Sequence, residues 1–182
     1  MTFQIISPKY GIKEVLIDDK DYNKIKNYRW YIYKKPTETT FYVRSSIYHN
    51  KKRGVLLLHR IILEAKKGQI IDHINRNGLD NRKSNLRFCT VSQNSINSKC
   101  YKNSTTKIKG VSYFKCTQNG RTYHYWTARI YINKKAKSLG YFKDSLSAAK
   151  AYRDAAIKHY GEFGEDQHER NNDSFRSVRE ER

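Results

Sequence analysis

The chain has 182 residues and a mass of 21.6 kDa, room for one ordinary domain or for two to three small ones. It carries 37 Lys and Arg against 17 Asp and Glu, a formal charge of +20, and a surplus of that size calls for a polyanion, nucleic acid first. Only 37% of the residues are hydrophobic, but 15 Tyr, 7 Phe and 2 Trp supply enough large groups for small cores and exclude wholesale disorder.

At the N-terminus, Met1-Thr2-Phe3-Gln4 lacks a charged region followed by an apolar one, and no apolar run reaches the roughly 18 residues of a membrane span. Neither a signal peptide nor a membrane partner is expected. Residues 1–55 hold 12 basic and 5 acidic side chains and read as a small α+β region. Glu14-Val15-Leu16-Ile17 and Phe41-Tyr42-Val43-Arg44-Ser45 predict strands, and Asp18-Asp19-Lys20-Asp21 ahead of Tyr22, Ile25 and Tyr28 predicts a short capped helix. Trp30, Tyr31 and Tyr33 stand beside Lys34 and Lys35, where rings can stack on nucleic acid. Aromatics at near-alternating positions more often form the buried face of a strand, and the core reading is preferred.

Residues 56–98 carry the chemistry. His59, within Leu57-Leu58-His59-Arg60-Ile61-Ile62, opens a predicted helix, as a structural His or as an accessory phosphate contact. Ile70-Ile71-Asp72-His73-Ile74 predicts a short strand, Asn75-Arg76-Asn77-Gly78 a turn and Leu86-Arg87-Phe88-Cys89 a second strand. Thr90-x-x-Gln93 reads as a capping box that starts a helix near Val91. Asp72 and His73 then end the first strand and Asn94 falls in the helix's first turn, so that a carboxylate and an amide oxygen can converge on one hard cation. Alternation along a strand turns His73 away from the face of Asp72. Read singly, Asn85 is equally an Asx-turn residue and Asn94 a polar surface residue. Cys89, Cys100 and Cys116 are odd in number and form no C-x-x-C pair, which argues against a disulfide framework and a zinc site and for a reduced, cytoplasmic setting.

Taken together, the run from Ile71 through Asp72-His73-Ile74-Asn75 to Asp80-Asn81-Arg82-Lys83-Ser84-Asn85-Leu86-Arg87 resembles the core of the His-Asn-His endonucleases of phages and group I introns, whose fold is the ββα-metal finger. The resemblance implies that His73 is the general base that takes a proton from the attacking water. Asp72 and Asn94 would be the two protein ligands of a single divalent metal, magnesium with manganese as the alternative. Asn85 would brace the loop that orients His73. His59 and Arg87 are candidate accessory residues beside this set. Asn94 stands where the family more commonly has His, a variant found among the intron-encoded relatives.

Residues 99–107 are polar, basic and without periodicity, the pattern of a linker. Over residues 108–164 three short strands are predicted, with turns at Gln118-Asn119-Gly120 and Asn133-Lys134-Lys135, followed by a helix capped by Asp144 or Ser145. Lys109-Gly110-Val111-Ser112-Tyr113-Phe114, Trp126-Thr127-Ala128-Arg129-Ile130, Leu139-Gly140-Tyr141-Phe142 and Ala148-Ala149-Lys150-Ala151-Tyr152 resemble the APETALA/ethylene-response-factor DNA-binding domain. That resemblance implies a sheet entering the major groove, with DNA contacts expected from Lys109, Tyr113, Lys115, Arg121, Trp126, Arg129, Lys135 and Lys137. Residues 165–182 hold 6 acidic and 4 basic groups and read as a disordered tail.

The expected whole is an α+β chain: an N-terminal α+β region at 1–55, a ββα-metal nuclease domain at 56–98, a linker, and a three-stranded antiparallel sheet packed on one helix. The expected activity is metal-dependent hydrolysis of double-stranded DNA, of homing type, nicking one strand per active site, by a monomer or a homodimer. A catalytically silent DNA-binding regulator and an RNA-binding protein are the competing readings.

Overall fold

The computed structural model describes residues 1–36, 40–49, 52–98, 100 and 104–164. The expected tail at 165–182 lies outside them, as do residues 99 and 101–103 of the expected linker. The architecture is α+β, with every paired strand antiparallel. By its internal contacts the chain divides into two compact units, Met1–Thr90 and Val91–Arg182. Among the described residues no helix is long and apolar enough to cross a membrane.

The first unit opens with a hairpin of β1 (Thr2–Ser7) and β2 (Gly11–Leu16), a 3-10 turn at Asp19–Asp21 and the single-turn helix α1 (Tyr22–Ile25). A meander of β3 (Trp30–Tyr33), β4 (Tyr42–His49) and β5 (Lys52–Leu57) follows, then α2 (Leu58–Ile62). The unit ends in a hairpin of β6 (Ile70–His73) and β7 (Leu86–Cys89). Ile5, Val15, Ile17, Ile25, Ile32, Val43, Leu58, Ile62 and Leu86 form one core, so residues on either side of position 55 are buried against each other. At roughly 1.5–3 kcal/mol for each fully buried aliphatic side chain, that shared core welds the β6–β7 hairpin to the meander in front of it.

Two readings of the N-terminal region are corrected. The carboxylate of Asp18 makes no cap bond to the helix; its Oδ2 accepts the backbone N–H of Lys83 at 2.8 Å instead, satisfying a donor 65 residues away. The aromatics of β3 split between two faces. The register pairs Ile32 with Val43 and Trp30 with Ser45, toward the core, and leaves Tyr31 and Tyr33 on the outer face.

The second unit starts with α3 (Val91–Asn97), at the position the capping box marks. Its sheet, in the order β10-β9-β8, comprises β8 (Val111–Gln118), β9 (Arg121–Ile132) and β10 (Lys135–Phe142), and α4 (Ser145–Tyr160) packs on it. Asp144 caps α4, accepting the N–H of Ser147 at 2.7 Å. Ala148, Ala149 and Ala156 let the helix lie close to buried Val111, Ala128 and Ile130, with Tyr152 filling the remaining space. Gly110 (φ +71°) sits so near the Tyr152 ring that an added Cβ would come within 2.2 Å of it.

Candidate functional site

The loop between β6 and β7 is built almost wholly from side-chain amides. Asn85 uses both ends of its own: Nδ2 donates to Asn75 Oδ1 (3.0 Å) and to the carbonyl of Asp80 (2.7 Å), and Oδ1 accepts the N–H of Asn75 (2.9 Å). Asn75 Nδ2 donates to Asp80 Oδ2 at 2.9 Å. Asp80 in turn takes two bonds from Arg82 at 2.8 and 2.7 Å, and this guanidinium holds its carboxyl below the usual range. The backbone turns on Arg76, whose φ of 61° is left-handed.

The N-terminal hairpin and β4 hold this loop from behind. Leu16 donates its N–H to Leu79 and accepts that of Asn81, so the loop runs as a short parallel extension of β2. Gly78 lies against β4 so tightly that a Cβ there would meet the carbonyl of Phe41 at 2.3 Å and the Tyr42 ring at 2.7 Å. Its N–H donates to Thr40 Oγ1 at 3.0 Å.

His73 ends β6, buried, with its ring against those of Tyr42 (centroids 5.9 Å apart) and His59 (5.2 Å). Its Nε2 lies 3.4 Å from Asn81 Oδ1. Asn81 is fully buried, and its Nδ2 donates to the carbonyl of Gly78. A carbonyl only accepts, so this bond fixes which way the amide points and turns Oδ1 toward His73. That orientation favours the tautomer with its proton on Nε2. Burial lowers the pKa of His73, against the opposing pull of Asn81, Asp72 and Asp80, which favours the neutral ring.

Asp72, one residue earlier and also buried, pairs across the hairpin with Arg87. Its Oδ2 accepts from Arg87 Nε at 3.0 Å and from a terminal guanidinium nitrogen at 2.9 Å. Asn94 lies on α3 in the second unit. His59 opens α2, buried, with its Nδ1 unpartnered among the described residues. Burial first, then the charges of His73 and Arg60, push its pKa down to about 3. Asn81 was not singled out in the sequence; its role follows from the loop's closure, and the only hint is its place in Asp80-Asn81-Arg82.

In the second unit, strand alternation sorts the expected DNA contacts. Cross-strand partners share a face, so Tyr113, Lys115, Trp126, Lys135 and Lys137 lie on the face of Ala128 and Ile130, toward α4. Arg121 and Arg129 lie on the opposite, helix-free face, which no helix covers among the described residues. Lys109 is on neither: its Nζ donates to the carbonyls of Ser95, Ile96 (3.0 Å) and Ser98 (2.8 Å), closing the C-terminal end of α3. The helix-free face also carries Phe114, Tyr123, Tyr125, Tyr131 and Tyr141, which were not expected there. Phe114 stacks on Tyr125, Tyr125 meets Tyr141 edge-on, and Tyr141 is 75% exposed. The signal was available in the two-residue period of β9 once Ala128 and Ile130 are taken as the buried pair.

Residues 56–96 match the family model described as HNH endonuclease. Over 145 residues the chain is 28% identical to an uncharacterized HNH endonuclease of Acanthamoeba polyphaga mimivirus, the match covering 76% of this chain and 66% of that relative. No solved structure matches the chain significantly.

Proposed function

We propose that the chain is a metal-dependent DNA endonuclease that hydrolyses a phosphodiester bond with His73 as general base. The observation that carries this reading is the His73–Asn81 pair within a loop clasped by Asn85, beside the Asp72–Arg87 pair on the adjacent residue. That buried, hydrogen-bonded constellation falls inside the segment that matches the HNH endonuclease family. Neutral His73 takes the proton of a water aligned on the scissile phosphorus as its oxygen attacks, and the bond to the 3′ oxygen breaks. Asn81 holds the base in one tautomer and Asn85 holds the loop that carries it.

By the motif, the carboxylate of Asp72 and the amide oxygen of Asn94 would hold a hard divalent cation, oxygen ligands of the kind magnesium takes while keeping several waters. Such a cation would offset the charge that develops on the phosphate and the leaving oxygen. Arg87 holds Asp72 in one rotamer. The second unit supplies target recognition through its helix-free sheet face, with Arg121 and Arg129 among the aromatic rings, in keeping with the resemblance to the APETALA/ethylene-response-factor domain. One base implies one nick per encounter.

The test is end-group analysis of the product: incubation of supercoiled plasmid with magnesium should leave nicks bearing a 5′ phosphate and a 3′ hydroxyl, and chelation should abolish them. Nicks bearing a 3′ phosphate would contradict the proposed bond scission. Asp72→Asn should raise the magnesium concentration needed for half-maximal cutting, roughly tenfold or more.

A further inference from the structure

Apart from Tyr42, the outer face of the β3-β4-β5 sheet has no part in the site described so far. Pairing of Tyr33 with Tyr42, Tyr31 with Arg44 and Tyr48 with Arg53 places all six on the sheet face opposite Val43 and Ser45. Tyr48 is 75% exposed and Tyr31 42%. The guanidinium of Arg44 lies over the Tyr33 ring at 4.3 Å, and that of Arg29 over Tyr31 at 5.5 Å. Arg53 donates to Ser46 Oγ at 3.2 Å. Among the described residues none of Arg29, Arg44 and Arg53 has a carboxylate partner. The charge around them is one-sided: between Tyr22 and Leu63 the chain has ten Lys or Arg and a single acid, Glu38.

A guanidinium stacked on a ring is held flat, with its N–H edge directed past the ring, the geometry in which arginine meets phosphate oxygens in pairs. Rows of tyrosine between such arginines offer flat surface and hydroxyls to a sugar-phosphate backbone. The face is also continuous with the site. Tyr42, its innermost ring, lies against both His73 and His59, so a strand laid along the sheet arrives at the base.

From this we infer that the outer face of β3-β4-β5 is a second DNA-binding surface, which holds the phosphates of the duplex flanking the scissile bond and feeds that bond to His73. The inference rests on the nuclease reading for its purpose, not for the surface itself. A duplex is the occupant because the face is a nearly acid-free sheet with exposed tyrosines and with arginines that lack carboxylate partners among the described residues, rather than a cleft.

The test uses the full chain and a fluorescent duplex carrying the nicked site, or a random-sequence duplex of the same length, in metal-free buffer. Arg29→Ala/Arg44→Ala/Arg53→Ala should weaken binding about tenfold or more and flatten the slope of log affinity against log salt by about three. Charge-matched Lys20→Ala/Lys26→Ala/Lys66→Ala, on exposed positions elsewhere in the same unit, should do markedly less. Arg53→Ser alone, a solvent-facing change that leaves the core untouched, should lower affinity a few-fold. Equal losses in the two triple variants, or an unchanged affinity for Arg53→Ser, would overturn the assignment. Displacement of the probe by unlabelled single-stranded RNA as readily as by duplex would overturn it too. His73→Ala run in parallel separates the claims: binding lost in the arginine variants with no cutting by the native chain keeps the surface and sinks the nuclease. Cutting by the native chain with affinity intact in the arginine variants does the reverse.

Discussion

In its proposed role as base, His73 depends on its neighbours rather than on its own chemistry alone. Burial keeps it neutral, and the Asn81 amide, itself fixed by the carbonyl of Gly78, selects the tautomer. Asn81→Ala should therefore lower kcat about ten- to hundredfold with little change in KM, whereas a purely structural role would show in the unfolding midpoint before it showed in turnover. His59 makes a prediction about stability. Its folded pKa of about 3 lies below the usual 6.5, so the unfolded chain binds the extra proton. The stabilisation is fully present above about pH 6.5 and is lost as pH falls toward 3, by up to about 1.4 kcal/mol per pH unit. Urea unfolding at pH 7, 6 and 5 should show that decline, and His59→Gln should remove about one proton's worth of the slope. An unchanged slope in the variant would place the shift elsewhere.

At the scale of elements, the β6–loop–β7 unit is a clasp whose hinge pieces come from the preceding chain. Leu16, Asp18 and Thr40 all bond to it, and Gly78 admits it to the surface of β4. Gly78→Ala should cost about 1–3 kcal/mol of stability by overpacking, read as a lower urea midpoint, and should weaken activity by displacing the loop from Tyr42. Much of this hairpin was legible beforehand, because β6, β7 and the start of α3 carry local signals in turn residues and a capping pattern. What was not legible is long-range. Asp18 looks like a cap by sequence, and its carboxylate goes instead to a backbone donor brought near only by folding. Trp30, Tyr31, Ile32 and Tyr33 are large on both parities, so periodicity alone does not say which pair turns inward; the pairing with Val43 and Ser45 decides it. Asn81 became visible only once the loop had closed around it.

For the whole molecule, the proposed DNA-binding surfaces lie in both units, each on a basic, tyrosine-rich sheet face. The face of the second unit's sheet opposite α4 and the outer sheet face of the first share one composition, arginine set among tyrosines. Arg121→Ala/Arg129→Ala should reduce preference for a cognate site over random duplex, measured by competition, whereas loss of phosphate-holding arginines weakens all sequences alike. The proposal that His73 is the base of a DNA-cutting site is tested most directly by the conversion of supercoiled plasmid to open circles in magnesium by the native chain and by His73→Ala. The native chain should nick, and the variant should lose about 10²–10⁴-fold in rate with duplex affinity retained. Equal cutting by both would contradict it, as would binding by both with no cutting by the native chain in magnesium or manganese, which would leave a DNA-binding protein that has kept the finger as a scaffold.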